Sequence, residues 1–184
     1  ILYIVEMFAF AFYFYFRDTP RMSRIAWGFM ALNVVGITIW TLWPAAPPWY
    51  VEVHGFGPAR LDVVASAAGA ARFDTLIGYG LFEGFYRRST NVFGAMPSLH
   101  VAYPVLSVCA AWTRGRGWRV GGVGFALLVA FSAVYLGHHY VLDVIAGGVL
   151  GVVTYLTVHH AFRRRERRGE HGCNRTKRSE RAKR

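Results

Sequence analysis

Hydrophobic residues are concentrated in five long runs instead of alternating with polar residues along the chain. A helix needs about 20 predominantly apolar residues to cross the hydrocarbon core of a bilayer, and each run reaches or approaches that length. The runs are Ile1 to Phe16, Ile25 to Trp43, Leu99 to Thr113, Trp118 to Gly137 and Val141 to Phe162. This pattern predicts an all-α fold, a polytopic membrane helix bundle with about five spans in this chain.

The second and third runs are separated by a segment of mixed polarity, residues 44–98. Three prolines near its start lack amide donors and prevent a continuous helix there. Between Arg60 and Leu76 apolar residues recur at helical spacing, which predicts a short helix lying on the membrane surface. We therefore expect a membrane domain, 1–162, that carries 44–98 outside the bilayer, followed by a basic tail, 163–184.

The composition agrees with a membrane protein. Of the 184 residues, 54% are hydrophobic and only 17% are charged, whereas soluble domains average roughly a quarter charged residues. The net charge is +11, and most of it lies in the last 23 residues, where eleven Lys and Arg face three Glu. The composition excludes a disordered chain and disfavours a soluble enzyme.

The remaining charges predict how the spans are oriented. Residues 17–24 hold three Arg and one Asp, residues 114–119 hold three Arg, and residues 44–98 balance four Arg against four acidic residues. With five spans, both positive loops and the tail fall on one side, which the positive-inside rule makes cytoplasmic. We therefore expect a multi-pass protein of the plasma (inner) membrane with 44–98 extracytoplasmic, a cytoplasmic tail and no nucleic acid partner.

Two polar clusters at the edges of the apolar runs are candidates for chemistry, because polar side chains at membrane depth are costly. Pro97–His100 opens the third run and places Ser98 and His100 at a helix start, where free amides favour an anion such as phosphate. His139 and Asp143 open the fifth run, and their spacing of four places them on one helix face. A carboxylate bound to one imidazole nitrogen leaves the other nitrogen free as a nucleophile.

The predicted topology puts both clusters at the same membrane level, so we expect them to form one site. Taken alone, each cluster is also compatible with a structural role, as a helix start or as a helix ion pair. Two other functions stay open on the residues alone. One is a haem-binding electron carrier to which His100, His139 and His159 offer nitrogens. The other is a metal site built from His100, His138, His139 and Asp143.

Three stretches of the chain together resemble a known family. They are Trp43–Tyr50, Phe93–His100 and Tyr135–Asp143. The sequence Pro-Ser-Leu-His at 97–100, followed by His139-x-x-x-Asp143, resembles motifs of the type-2 phosphatidic acid phosphatase superfamily of membrane lipid phosphatases and phosphotransferases. Within that superfamily the stretches are most similar to the fungal inositol phosphorylceramide synthases.

The resemblance implies an enzyme that acts on a phospholipid or lipid phosphate without a metal or cofactor. His139 would attack phosphorus and form a phosphohistidine, Asp143 would orient His139 and stabilise its charge, and His100 would protonate the leaving oxygen and then activate the acceptor. Ser98 and nearby amides would hold the phosphoryl oxygens. With a lipid alcohol as acceptor, the implied function is transfer of a phospho-head group of the inositol phosphate type. With water, it is a lipid phosphate or prenyl pyrophosphate phosphatase.

The chain departs from the superfamily pattern at its phosphate-binding cations. The superfamily motif of a Lys, six residues and Arg-Pro is absent, since no Lys precedes Lys177. The superfamily also has an Arg six residues before the nucleophilic histidine, and Ala133 occupies that position in this chain. Phosphoryl transfer depends on charge stabilisation, so we expect another cation to compensate. Arg72 is the favoured candidate, with the pair Arg87 and Arg88 as the alternative. The family commonly has six spans, one more than the five predicted here.

Overall fold

The structure, a computed structural model, describes residues 2–89 and 91–182. These residues are helical with irregular connections, and they form no strand beyond an isolated bridge between Ala45 and Gly94. The helices are α1 (Leu2–Arg17), α2 (Thr19–Leu42), α3 (Pro48–His54), α4 (Ala71–Ile77), α5 (Leu81–Tyr86), α6 (Leu99–Ala111), α7 (Arg116–Tyr135) and α8 (Val141–Ala182). Short 3₁₀ turns cover Ala68–Ala70 and Trp112–Arg114.

The five predicted spans correspond to the five long helices α1, α2, α6, α7 and α8, so the all-α membrane bundle is confirmed. Within the described part of the chain, three helical stretches are long and apolar enough to cross a membrane, Thr19–Leu42, Arg116–Tyr135 and Val141–Arg168. Helices α1 and α6 are shorter, with 16 and 13 residues. At about 1.5 Å per residue, α6 is roughly 20 Å long and does not reach across a full hydrocarbon core.

Helix α6 is the centre of the bundle and packs against α1, α2, α7 and α8. Ten of its 13 residues are buried, which agrees with its mostly apolar sequence. Helix α8 approaches it closely through small residues, as the G-x-x-x-G spacing of Gly147 and Gly151 predicts. A methyl group on Gly147 would overlap the carbonyl oxygen of Ser98, and one on Gly151 would lie 2.7 Å from the carbonyl oxygen of Ala102.

The positively charged loops meet at one end of the bundle, the basic end. The Arg21 guanidinium donates to the carbonyl oxygen of Ala110 at 2.9 Å and so pairs a free carbonyl at the end of α6. Arg24 forms an ion pair of 3.0 Å with Glu166 of α8. The end of α6, the start of α2 and the later part of α8 therefore lie together, as the alternating topology requires.

The segment from Arg60 to Leu76 is not the single short helix that its spacing predicts. Helical structure begins only at Ala68. Around Ala68 the backbone amides donate hydrogen bonds to other elements. The Ala67 amide donates to Glu83 Oε2 at 3.4 Å, and the Gly69 amide donates to the Leu136 carbonyl oxygen at 3.0 Å. Hydrogen bonds to other elements replace the intrahelical bonds that the pattern predicts.

Candidate active site

The two polar clusters, Pro97–His100 and His139 with Asp143, lie together at the end of the bundle opposite the basic end. Helix α6 begins immediately after Ser98, and α8 begins at Val141. The Ser98 amide donates to the Asp143 carbonyl oxygen at 3.0 Å, which ties the two helix starts to each other. The missing side chain of Gly147 permits this contact, since any Cβ there would overlap the Ser98 backbone.

The turn between α7 and α8 holds the second cluster rigidly. Gly137 has a φ of 73°, a left-handed conformation that glycine adopts without a steric penalty. The amides of His138 and His139 both donate to the Ala133 carbonyl oxygen at 3.1 Å, and the Trp49 amide donates to the Gly137 carbonyl oxygen at 3.1 Å. The turn is thereby fixed to α7 and to the α3 segment.

The two catalytic candidates from different helices are in direct contact. His100 Nδ1 lies 2.7 Å from His139 Nε2, with the rings nearly edge to face and their centroids 4.9 Å apart. The predicted convergence of the clusters is therefore present in the structure. The contact places both rings beside the same small volume of the site.

The orientation of His139 is set by a group that sequence reasoning missed. His139 Nδ1 lies 2.8 Å from the carbonyl oxygen of Ala95, and a carbonyl oxygen only accepts, so Nδ1 carries the proton. Neutral His139 therefore presents an unprotonated Nε2 towards His100, the state required of a nucleophile. Any residue type supplies a backbone carbonyl, so the sequence carries no signal for this contact.

Asp143 lies beside His139 without a direct hydrogen bond to it. Asp143 Oδ2 is 3.8 Å from His139 Nδ1 and accepts from the Tyr140 amide at 2.7 Å. The carboxylate thus caps the start of α8 while its negative charge stays close to the imidazole. Both side chains are almost fully buried.

The role predicted for Ser98, holding the phosphoryl oxygens, stays a prediction. The Ser98 side chain is fully buried, and its hydroxyl has no hydrogen-bond partner among the described residues. It lies at the start of α6 as expected but is not among the residues that line the cavity at the histidine pair. The observed contribution of Ser98 is its amide, which joins α6 to α8.

A cavity of about 630 Å³, the polar cavity, opens beside His100 and His139. Its polar lining includes Asn33 of α2, Ser66, and three residues of the segment between α5 and α6, Arg88, Ser89 and Asn91, and aromatic and aliphatic side chains line much of the rest. Arg88 supplies a cation to this cavity. Arg72, the favoured cation in the sequence analysis, is exposed on α4 and is not among the lining residues. Ala70, the residue before α4, is buried, whereas Arg72 in the first turn of α4 is exposed.

His138 is a further element of the site. Its ring stacks on Tyr86 with centroids 4.5 Å apart and planes 9° apart. It is buried, and Nε2 has no partner among the described residues. Burial, aided by the neighbouring His139, lowers the pKa of His138 to about 4, so it is neutral at pH 7. The sequence placed His138 only in the alternative metal site and gave no sign of the stack.

The geometry does not favour the two alternatives left open by the sequence. The described residues contain no group of three His, Cys, Asp or Glu side chains placed to hold a metal ion. His159 is twenty residues further along α8, roughly 30 Å from His139 at 1.5 Å per residue.

Residues 1–157 match the family model described as the PAP2 superfamily. The chain therefore belongs to this superfamily of membrane phosphatases and phosphotransferases, which confirms the resemblance. Among curated proteins, it is 35% identical over 133 residues to the phosphoinositol dihydroceramide synthase of Bacteroides thetaiotaomicron, covering 71% of this chain and 43% of that protein.

Fungal proteins are similar at a comparable level. The chain is 32% identical over 143 residues to the inositol phosphorylceramide synthase of Candida albicans, covering 77% of this chain and 30% of that protein. It is 32% identical over 143 residues to the inositol phosphorylceramide synthase catalytic subunit of Schizosaccharomyces pombe, covering 78% and 34%. The matches span between about a third and two fifths of these relatives. No solved structure matches the chain.

Proposed function

We propose that the protein is an integral membrane lipid phosphotransferase that moves a phospho-head group of the inositol phosphate type to a lipid alcohol through a phosphohistidine. The observation that carries the proposal is the 2.7 Å contact between His100 Nδ1 and His139 Nε2 at the wall of a cavity lined by Arg88. The names of the relatives support an inositol phosphate head group and a ceramide-type acceptor.

In the first step His139 Nε2 attacks the phosphorus of the donor lipid. The Nε2–P bond forms, the bond from phosphorus to the lipid oxygen breaks, and protonated His100 gives its Nδ1 proton to that oxygen, so the donor leaves as a neutral alcohol. His139 keeps its Nδ1 proton, which it donates in a hydrogen bond to the Ala95 carbonyl oxygen. The positive charge that develops on the His139 ring is offset by Asp143, 3.8 Å away.

In the second step the now neutral His100 removes the proton of an acceptor hydroxyl. The acceptor oxygen attacks phosphorus, the Nε2–P bond breaks, and His139 returns to its initial state. Arg88 stabilises the phosphoryl oxygens throughout, which is the main requirement of phosphoryl transfer. If water entered in place of the alcohol, the same steps would hydrolyse the lipid phosphate.

We place the site on the extracytoplasmic side of the plasma (inner) membrane, with 1–162 as the membrane catalytic domain and the tail from Arg163 in the cytoplasm. The support is the charge pattern, since the arginine-rich loops gather at the end of the bundle opposite the site and positive loops favour the cytoplasmic side.

The test is mass spectrometry of lipids after incubating the purified protein with phosphatidylinositol, with and without ceramide. Phosphoinositol ceramide and diacylglycerol are the expected products, and free inositol phosphate would indicate hydrolysis instead. His139→Ala should reduce transfer to background while the protein remains folded. The matched control is His160→Ala, an exposed histidine at the basic end, which should keep the wild-type rate. Transfer retained in His139→Ala would refute the proposed nucleophile.

A further inference from the structure

A second cavity, of about 530 Å³, lies against the second half of α7 and helices α4 and α5. We call it the apolar groove, because its wall is built mainly from aliphatic and aromatic side chains. They include Phe73, Phe82, Phe125, Leu128, Val129 and Leu136. Its size and lining suit a hydrocarbon ligand.

The polar cavity and the apolar groove meet at the catalytic histidines. His100 lines both, as do Tyr86 and His138, whose stacked rings stand between the two spaces. His139 and Arg88 line only the polar cavity. The nucleophile and the cation therefore lie on the polar side, and His100 is the catalytic histidine that borders both.

The apolar groove is open to the surroundings of the bundle. Leu128 on its wall is 57% exposed, and its neighbour Leu127, which does not line the groove, is 65% exposed. Exposed leucines in the middle of a membrane-spanning helix face hydrocarbon. A lipid chain can therefore pass from the bilayer into the groove without crossing water.

Resting on the proposed function, we propose that the apolar groove binds the hydrocarbon chain of the lipid alcohol in both half-reactions. It holds first the diacylglycerol that leaves and then the alcohol that arrives. His100 exchanges a proton with the lipid oxygen in each step, and each oxygen lies across phosphorus from His139 Nε2. One position beside His100 must therefore serve both alcohols in turn, while the phospho-head group stays in the polar cavity near Arg88.

A shared groove has a kinetic consequence that separate lipid sites lack. The departing diacylglycerol must vacate the groove before the acceptor binds, so added diacylglycerol competes with the acceptor. A hydrocarbon chain that moves from the bilayer into the groove exchanges one apolar environment for another, so this transfer contributes little binding free energy. The groove therefore acts mainly by positioning the chain, and narrowing it should slow turnover of both lipids.

The test compares Leu128→Trp, which fills the groove, with Leu127→Trp, which adds the same bulk on the lipid-facing side. Transfer is measured in mixed micelles while the chain length of the phosphatidylinositol donor and of the ceramide acceptor is varied separately. We expect Leu128→Trp to lower kcat/KM about tenfold or more for long-chain donor and long-chain acceptor alike, since small changes of fit in apolar pockets reach this size. Short-chain lipids should be affected less than about threefold, and Leu127→Trp should resemble wild type.

The wild-type protein provides a test that needs no variant, in which diacylglycerol should inhibit competitively against ceramide. Non-competitive inhibition, equal effects of the two Trp variants, or a Leu128→Trp defect confined to one of the two lipids would overturn the shared groove. A wild-type protein that transfers no head group would refute the proposed function instead, so the two failures are distinguishable.

Discussion

The contact between α8 and the start of α6 should control both stability and chemistry. Gly147→Ala would place a methyl group on the Ser98 carbonyl oxygen, with the Ser98 carbonyl carbon 3.0 Å and the amide nitrogen 3.2 Å away. These atoms are backbone and cannot rotate aside, so the helices must separate. Overpacking of this kind costs about 1–3 kcal/mol, and for a chain of this size that lowers Tm by roughly 2–10 °C.

The same displacement should impair catalysis by more than the loss of stability. Moving α8 away from α6 separates His139 from His100, which are 2.7 Å apart. A misplacement of about 1 Å at a reacting centre costs on the order of 100-fold in rate. We therefore expect Gly147→Ala to retain roughly a hundredth of wild-type transfer activity at a temperature where it is still folded.

The neighbouring glycine is a matched control. A Cβ on Gly148 has no atom within 4 Å, and replacing Gly by Ala within a helix is worth up to about 1 kcal/mol. Gly148→Ala should therefore unfold at the wild-type temperature or slightly above and transfer at the wild-type rate. Thermal unfolding of the detergent-purified variants and initial rates of head-group transfer are the two measurements. If Gly147→Ala matched Gly148→Ala in both, the close approach would not position the site.

Two further predictions concern the residues around the polar cavity. Arg88→Ala should lower kcat/KM for the phospholipid donor by about tenfold to a hundredfold, because hydrogen bonds to charged groups contribute about 1.5–3 kcal/mol. The control variant Arg72→Ala should change kcat/KM less than twofold. If steady-state kinetics gave the reverse order, Arg72 and not Arg88 would be the phosphate-binding cation. The second concerns pH. Because the pKa of His138 is lowered to about 4 in the folded protein, the unfolded chain binds more protons between about pH 6.5 and 4, and stability falls as pH decreases through this window. His138→Phe keeps a ring to stack on Tyr86 and should flatten this part of the pH profile of Tm. A profile as steep as that of the wild type would show that His138 does not cause the loss of stability at low pH.

Much of the architecture follows from one-dimensional information. Each of the five apolar runs became a helix, because a bilayer leaves a spanning segment no other way to pair its backbone polar groups. The contact of His100 with His139 was also predictable, because five alternating spans bring the starts of the third and fifth runs to one end. The surface segment was predicted less well. In place of one helix between Arg60 and Leu76, part of its backbone forms hydrogen bonds with α5 and with the residue that follows α7.

The sequence by itself determined the membrane bundle, the grouping of its basic loops and the convergence of His100 with His139 and Asp143, because these depend on composition, alternation and spacing. The tertiary structure alone decided which carbonyl orients His139, that Arg88 and not Arg72 borders the polar cavity, that Ser98 is buried away from it, and that an apolar groove meets His100 from the α7 side. The physical reason is that a backbone carbonyl has no sequence signature, and the direction of a side chain on a short irregular segment is fixed by distant partners that local periodicity does not encode.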